Sequence, residues 1–179
     1  MDGRRTVRRT GHAPVDENET LLLGLLNSAP VVDGRPTDLL DGAAGQRRAR
    51  DWGGTGSDDE LAGLRRVRAA LQAVVRGATT PGLDELTHVV DGAVRIPRPT
   101  PDGVVWDLRV SDDDRLAVDA VLAWSDVLSR FPGRLRACAN DECNLFLVDH
   151  SRPGTAKWCS MATCGNRMKA RAYARRSAG

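Results

Sequence analysis

Residues 138–143 read CANDEC and residues 158–167 read WCSMATCGNR. These two stretches contain all four cysteines of the 179-residue chain, Cys138, Cys143, Cys159 and Cys164. Each pair has the spacing C-x4-C, and fifteen residues separate the two pairs. If the intervening segment folds back as a hairpin, four thiolates meet and can close the tetrahedral shell of a zinc ion at about 2.3 Å. We therefore predict one structural zinc ion with four thiolate ligands and no open position for a catalytic water.

The four cysteines could instead form two disulfides or bind an iron–sulfur cluster. Disulfides need an oxidising compartment, but the arginines of the first nine residues are followed by acidic residues instead of an apolar stretch and a cleavage site. We therefore expect a cytoplasmic protein with reduced cysteines. An iron–sulfur cluster uses the same ligands, and counting alone leaves that alternative open.

The residues around the cysteines predict a compact zinc module. A short strand at Leu145–Val148 is followed by a turn at residues 149–155. Ser160 is a candidate helix cap, and a helix from Met161 places Cys164 in its first turn, where the helix dipole favours a thiolate. The resulting knuckle, hairpin and helix would be treble-clef-like. So few apolar side chains could hardly fold alone, so zinc is expected to be required for folding.

Basic residues are concentrated in the same part of the chain. Residues 130–179 contain 10 basic and 3 acidic side chains, whereas residues 1–129 contain 16 and 21. The helix expected up to Ser177 has no acidic residue, and we predict that its cations contact nucleic acid: Arg167, Lys169, Arg171, Arg175 and Arg176. A slim, arginine-rich helix fits a DNA groove or follows phosphates. The alternative is a solvated helix whose cations suit its own dipole.

The rest of the chain predicts helices interrupted by one β element, so the fold class is α+β, mainly α. Helices are expected at residues 17–28, 39–52, 57–77, 83–90 and 111–128. Ser57 and Glu60 form a capping box, and the arginines that follow them are expected on a solvated face. Apolar and polar residues alternate around residues 93–110, which predicts a hairpin with one buried face and a turn from Pro97 to Gly103. Apolar runs are too short for a membrane span.

Two parts of the chain resemble known domains. Cys138, Cys143, Phe146, Asp149 and Ser151, followed by WCSM at 158–161 and CGNR at 164–167, resemble the CGNR-type zinc finger. Asn27, the DLL at 38–40, Trp52 and the Leu64-Arg65 helix are similar to the ABATE domain that accompanies this finger. The resemblance implies stress-induced transcription regulators that bind zinc through the four cysteines. The absence of apolar periodicity in the first residues and the helix stop at Phe131-Pro132-Gly133 divide the chain into a flexible arm (1–14), a helical ABATE-like domain (15–132) and a CGNR-type finger (133–179).

The leading hypothesis is a zinc-stabilised DNA-binding transcription regulator without a membrane partner. A single finger should bind weakly, so a homodimer is reasonable, and the helical domain could sense a small-molecule effector. The alternative is a zinc-stabilised adaptor for an acidic protein partner or RNA, although Phe146, Trp158 and Tyr173 are expected in the core. We do not expect an enzyme, because catalytic motifs are missing and His12, His88 and His150 are dispersed.

Overall fold

The computed structural model describes residues 15–32 and 34–177. The predicted arm at 1–14 and the last two residues lie outside the described part. The helices are α1 (Val15–Leu26), α2 (Gly42–Asp51), α3 (Asp58–Val75), α4 (Thr79–Val90), α5 (Asp112–Arg130) and α6 (Asn166–Ser177). The strands pair into antiparallel ribbons, β1 (Val31–Val32) with β2 (Arg35–Pro36), β3 (Val94–Thr100) with β4 (Gly103–Arg109), and β5 (Leu135–Ala137) with β6 (Phe146–Val148). The predicted α+β, mainly α class is confirmed.

The core lies where α1, α3 and α5 pack against one another. The leucines of α1 predicted to be buried are largely so, since Leu22, Leu25 and Leu26 are at most 1% exposed and Leu21 is partly buried. Burying each such side chain is worth roughly 1.5–3 kcal/mol relative to leaving it exposed. Within the described ranges, no helix has both the length and the apolar composition to cross a bilayer.

Helix α3 begins as predicted, but its acidic cap residue behaves differently. The Ser57 hydroxyl accepts a hydrogen bond from the Glu60 amide at 3.0 Å. The Glu60 carboxylate is fully buried and accepts from the amides of Thr55 (3.1 Å) and Gly56 (2.6 Å). Gly56 has a φ of 71°, a conformation that favours glycine. The carboxylate therefore organises the turn before the helix instead of closing the capping box.

The predicted solvated face of α3 is wrong for Arg68 and in part for Arg65, whereas Arg66 and Arg76 are exposed as predicted. Arg68 is 8% exposed and donates to both carboxylate oxygens of Asp38 at 2.7 and 2.6 Å, and to Ser28 at 2.8 Å. Hydrogen bonding from Arg68, against the opposing effect of burial, holds the pKa of Asp38 below its usual value. Arg65 donates to the Leu40 carbonyl at 2.6 Å. These guanidinium groups reach across to the chain before α2 and fix it.

The hairpin of β3 and β4 is confirmed, but its predicted buried face is wrong. Val94, Val104 and Trp106 are 52%, 57% and 58% exposed. In the observed register Val94 is opposite Arg109 and Trp106 is opposite Pro97, so the apolar residues of the two strands lie on opposite faces of the ribbon; alternation within each strand does not predict this register. The predicted turn is also too long, because the strands continue to Thr100 and resume at Gly103. Pro97 and Pro99 fit within β3 because a two-stranded ribbon has an outer edge that needs no donors.

The strand predicted at Leu145–Val148 corresponds to β6, and the sequence gives no signal for its partner. It pairs with β5, which precedes the first cysteine, with Leu135 opposite Val148 and Ala137 opposite Phe146. Leu135, Phe146 and Val148 belong to the same apolar cluster as the helices. The cysteine-containing region is thus packed onto the helical region, and the proposed boundary at 132/133 stays a prediction.

Candidate metal centre

The four cysteine sulfur atoms lie within 4.8 Å of one another. Cys143 and Cys159 are 3.7 Å apart, and so are Cys159 and Cys164. These distances agree with the edge of about 3.8 Å that a tetrahedron has when each thiolate is about 2.3 Å from zinc. The predicted ligand set is therefore brought together, and it fits one zinc ion with four thiolate ligands.

The same distances decide between the alternatives. All four cysteines are free, and a separation of 3.7 Å is far longer than the sulfur–sulfur bond of about 2.05 Å in a disulfide. An iron–sulfur cluster distributes its thiolates over several irons and spreads them more widely than a single ion does. A mononuclear tetrahedral centre is the arrangement that four sulfurs within 4.8 Å match.

Hydrogen bonds to sulfur orient the ligands. Asn140, which is 1% exposed, donates from its side-chain amide to Cys164 at 3.4 Å, and the Cys159 amide donates to Cys138 at 3.5 Å. The Cys143 amide donates to the Asn140 carbonyl at 2.8 Å and closes the knuckle. Asn140 therefore links the first cysteine pair to the second, a role that the cysteine spacing does not signal.

The pKa values of the thiols differ within the cluster. Burial raises the pKa of Cys143 and that of Cys159. Burial also acts to raise the pKa of Cys164, but hydrogen bonds from Asn140 and the neighbouring thiols outweigh it, so that this pKa is lowered. Thiols packed this closely resist simultaneous ionisation. A divalent cation supplies the positive charge with which all four can bind as thiolates.

The second pair of cysteines is set at a helix start. Met161–Gly165 form one π-helical turn that continues into α6, and the Gly165 amide donates to the Ser160 carbonyl at 2.9 Å. The predicted start at Met161 is confirmed, whereas the Ser160 side chain makes no capping hydrogen bond. A Cβ at Gly165 would lie 2.6 Å from Met161 Sδ and 3.2 Å from Trp158 Cδ1. A larger residue there would require the exposed Met161 side chain to move and Trp158 to shift slightly.

Asp149 organises the segment between the two halves of the site. Its buried carboxylate accepts from the Ser151 hydroxyl at 2.6 Å and from the amides of Ser151 and Ala156 at 2.9 and 3.0 Å. The Ser151 hydrogen bond is the main reason that the pKa of Asp149 is lowered, with burial opposing it and Arg136 assisting. Arg134 donates to the Ser151 carbonyl at 2.6 Å. This network returns the chain toward Cys159 without a strand.

A reciprocal amide pair joins the zinc-binding region to the helical region. The Phe146 amide donates to the Asn27 side chain at 2.7 Å, and Asn27 donates back to the Phe146 carbonyl at 3.2 Å. Arg76 lies 4.4 Å over the Phe146 ring and donates to the Asn144 carbonyl at 2.9 Å. His150 contacts Glu19 at 2.7 Å, so it has a structural partner.

The match to known families falls on this region. Residues 134–177 match the CGNR zinc finger family. All four clustered cysteines lie within the match, as does the CGNR segment at 164–167. No curated protein matches the chain. The resemblance of the helical region to the ABATE domain stays a prediction.

The predicted nucleic-acid-binding residues all lie on α6, and the structure describes every residue of that helix. None of its side chains is buried. The expectation that Phe146, Trp158 and Tyr173 lie in the core holds for Phe146, which is 2% exposed, and in part for Trp158. It is wrong for Tyr173, which is 68% exposed. No periodic signal distinguishes a tyrosine on the free side of a short helix from one that packs.

Proposed function

We propose that the protein is a zinc-stabilised, DNA-binding transcription regulator in which α6 contacts DNA. The observation that carries this proposal is that α6 follows directly from the cysteine cluster and bears five cations and no acidic residue. A polyanion is the partner that such a helix attracts over the longest distance. Because α6 begins at the metal centre, its direction relative to the rest of the protein is fixed, as a helix that recognises DNA requires.

The remaining parts of the proposal follow from the resemblance and from binding energetics. The helical region acts as an ABATE-like domain that responds to an effector and mediates homodimer formation, because a few phosphate contacts give weak binding at physiological salt. We place the protein in the cytoplasm and the regulation in a stress response. The zinc is structural, since four thiolates fill a tetrahedral shell, and no catalysis is proposed.

The test is selection of the zinc-loaded protein on fragmented genomic DNA. In one variant the five α6 cations are replaced by alanine. A matched control replaces five exposed arginines of the helical region, Arg35, Arg47, Arg66, Arg95 and Arg109. Both variants change the net charge equally, so the comparison separates a local surface from overall charge. We expect the wild type and the control to enrich the same motif and the α6 variant to lose it.

Other results would contradict the proposal. If motif enrichment fell equally in both variants, DNA would be bound by general electrostatic attraction and not by specific contacts of α6. Failure of the wild type to bind DNA even at 25 mM salt would favour the adaptor hypothesis. In that case, binding to RNA and to acidic proteins would be measured next, and the steep salt dependence expected of phosphate contacts would identify RNA.

A further inference from the structure

The cations of α6 are not equivalent, because Glu142 in the zinc knuckle neutralises part of the helix. Glu142 Oε1 lies 2.6 Å from Arg171 Nη2, and Glu142 Oε2 lies 3.8 Å from Arg167 Nη1. Among the described residues, Lys169 and Arg176 have no acidic group within 4 Å. One carboxylate thus divides the helix into a compensated pair of arginines and an uncompensated remainder.

Lys169 and Arg176 lie on a different side of the helix from the compensated pair, whereas Arg175, which also has no acidic group within 4 Å among the described residues, lies nearer the side of Arg167 and Arg171. At about 100° per residue, Lys169, Tyr173 and Arg176 fall within an arc of about 60°. Arg167 and Arg171 fall on roughly the opposite side of the helix. We call the first set the free flank and the second the clamped flank. Tyr173, at 68% exposure, is the large side chain of the free flank and lies between Lys169 and Arg176 along the helix axis.

We propose that the free flank, Lys169, Tyr173 and Arg176, is the surface that contacts the phosphate backbone of duplex DNA. This rests on the proposed DNA-binding function and specifies its contact surface. Arginines on the clamped flank would have to leave Glu142 or bring its negative charge toward the phosphates. The free cations have no such competitor. Counterion release, which drives phosphate binding, is therefore expected more from Lys169 and Arg176 than from Arg167 and Arg171.

Tyr173 suits the same partner. A tyrosine hydroxyl donates to phosphate oxygens, and its ring can cover the adjacent sugar. An exposed tyrosine between two uncompensated cations is better explained by such a contact than by folding, because it contributes little to the core. The clamped flank has a structural explanation of its own, since Glu142 ties α6 to the knuckle across 29 residues of sequence.

The experiment measures the salt dependence of binding to a labelled 20-base-pair duplex of arbitrary sequence between 25 and 200 mM KCl. Lys169→Ala/Arg176→Ala is compared with the matched control Arg167→Ala/Arg171→Ala, which removes the same charge from the same helix. Two lost phosphate contacts should reduce the slope of log K against log salt by about 1.8. We expect this reduction for the free-flank variant and less than about 0.5 for the control.

Tyr173→Ala provides a second readout. Because it removes no charge, it should lower the affinity several-fold at every salt concentration and leave the slope unchanged. Circular dichroism and zinc content verify that each variant is folded, and alanine at these exposed positions favours the helix. If Arg167→Ala/Arg171→Ala reduced the slope of log K against log salt as much as Lys169→Ala/Arg176→Ala does, the assignment of the contact surface to the free flank would be overturned. Absence of duplex binding by the wild type at 25 mM KCl would instead overturn the proposed function itself.

Discussion

The helical region and the zinc-binding region hold their folds by different means. In the helical region, Leu22, Leu25, Leu64, Val67 and Leu71 are all 0% exposed and form a continuous apolar core. In residues 134–177 the buried apolar side chains other than cysteine belong to β5 and β6, and α6 contributes none. The first region depends on apolar area, and the second on thiols, a metal ion and hydrogen-bonded turns. Stability in this chain therefore has two different sources, which the following predictions test in order of expected effect.

Loss of the metal is expected to have the largest effect. Cys159→Ser removes one of four ligands, and structural zinc contributes roughly 10–16 kcal/mol in finger peptides. We expect loss of hydrogen-exchange protection in residues 138–165 while α3 and α5 remain protected. Ser160→Ala is the matched control, because that side chain makes no capping hydrogen bond. Unchanged protection of residues 138–165 in a zinc-free Cys159→Ser protein would contradict a metal-dependent fold.

Phe146→Ala tests the joint between the two regions. Phe146 is 2% exposed and packs with the helical core beneath Arg76, so its truncation should cost about 3–5 kcal/mol in urea unfolding. Both regions should be destabilised, as followed by hydrogen exchange. Phe146→Leu, which keeps most of the apolar volume, should cost less than about 1.5 kcal/mol. Destabilisation confined to residues 134–177 would show that the two regions are energetically independent.

Asp38→Asn tests a polar anchor of the helical region. The variant leaves Arg68 without its carboxylate partner, and we expect a loss of about 2 kcal/mol at pH 7. The pKa of Asp38 is lowered in the folded protein, so the carboxylate stabilises the fold above the unfolded pKa of about 3.9. This contribution is lost as the pH falls through the lower folded value. The difference between wild type and variant should therefore shrink below about pH 4.

Asp41→Asn is the control for that measurement. Its side chain is 70% exposed and pairs with Arg65 at 3.0 Å, so its replacement should change stability by less than about 0.5 kcal/mol. An equal effect of the two substitutions, or a difference that does not depend on pH, would argue against a stabilising Asp38–Arg68 pair.

Trp106→Ala should have the smallest effect. Trp106 is 58% exposed on the ribbon of β3 and β4, so its loss should change the free energy of unfolding by less than about 0.5 kcal/mol. Trp52, which is half-buried against Gly24, provides the comparison, and its truncation should cost at least about 2 kcal/mol. A large loss at Trp106 would place that face in contact with another surface in solution.

Local signals in the sequence are sufficient to predict several features of the structure. The cysteine spacing predicts the metal ligands, because two C-x4-C pairs need only a chain reversal to meet. Ser57 and Ser111 are recognisable as caps, and each accepts from the amide three residues later. These features depend on neighbours within a few residues, where residue type and spacing restrict the geometry strongly.

Contacts between distant segments are not predictable in the same way. Three contacts join segments that are distant in the sequence: the pairing of β6 with β5, the Asp38–Arg68 pair and the ion pair of Glu142 with Arg171. An arginine on a helix has the same periodicity whether it meets water or a carboxylate. Likewise, the alternation around Trp106 is the same for a covered and an uncovered ribbon. Such features depend on which elements pack together, and a single sequence does not contain that information.

The amide pair between Asn27 and Phe146 has a consequence for how this chain can evolve. Asn27 and Arg76 hydrogen-bond to backbone groups of Phe146 and Asn144, so a finger exchanged by recombination near residue 133 would keep these bonds only if its backbone followed the same path. The incoming finger would also have to present an aromatic ring at the place of Phe146. The two regions are therefore expected to be inherited together, and a change at Asn27 would remove the side-chain partner of the β6 backbone whatever side chains β6 carries.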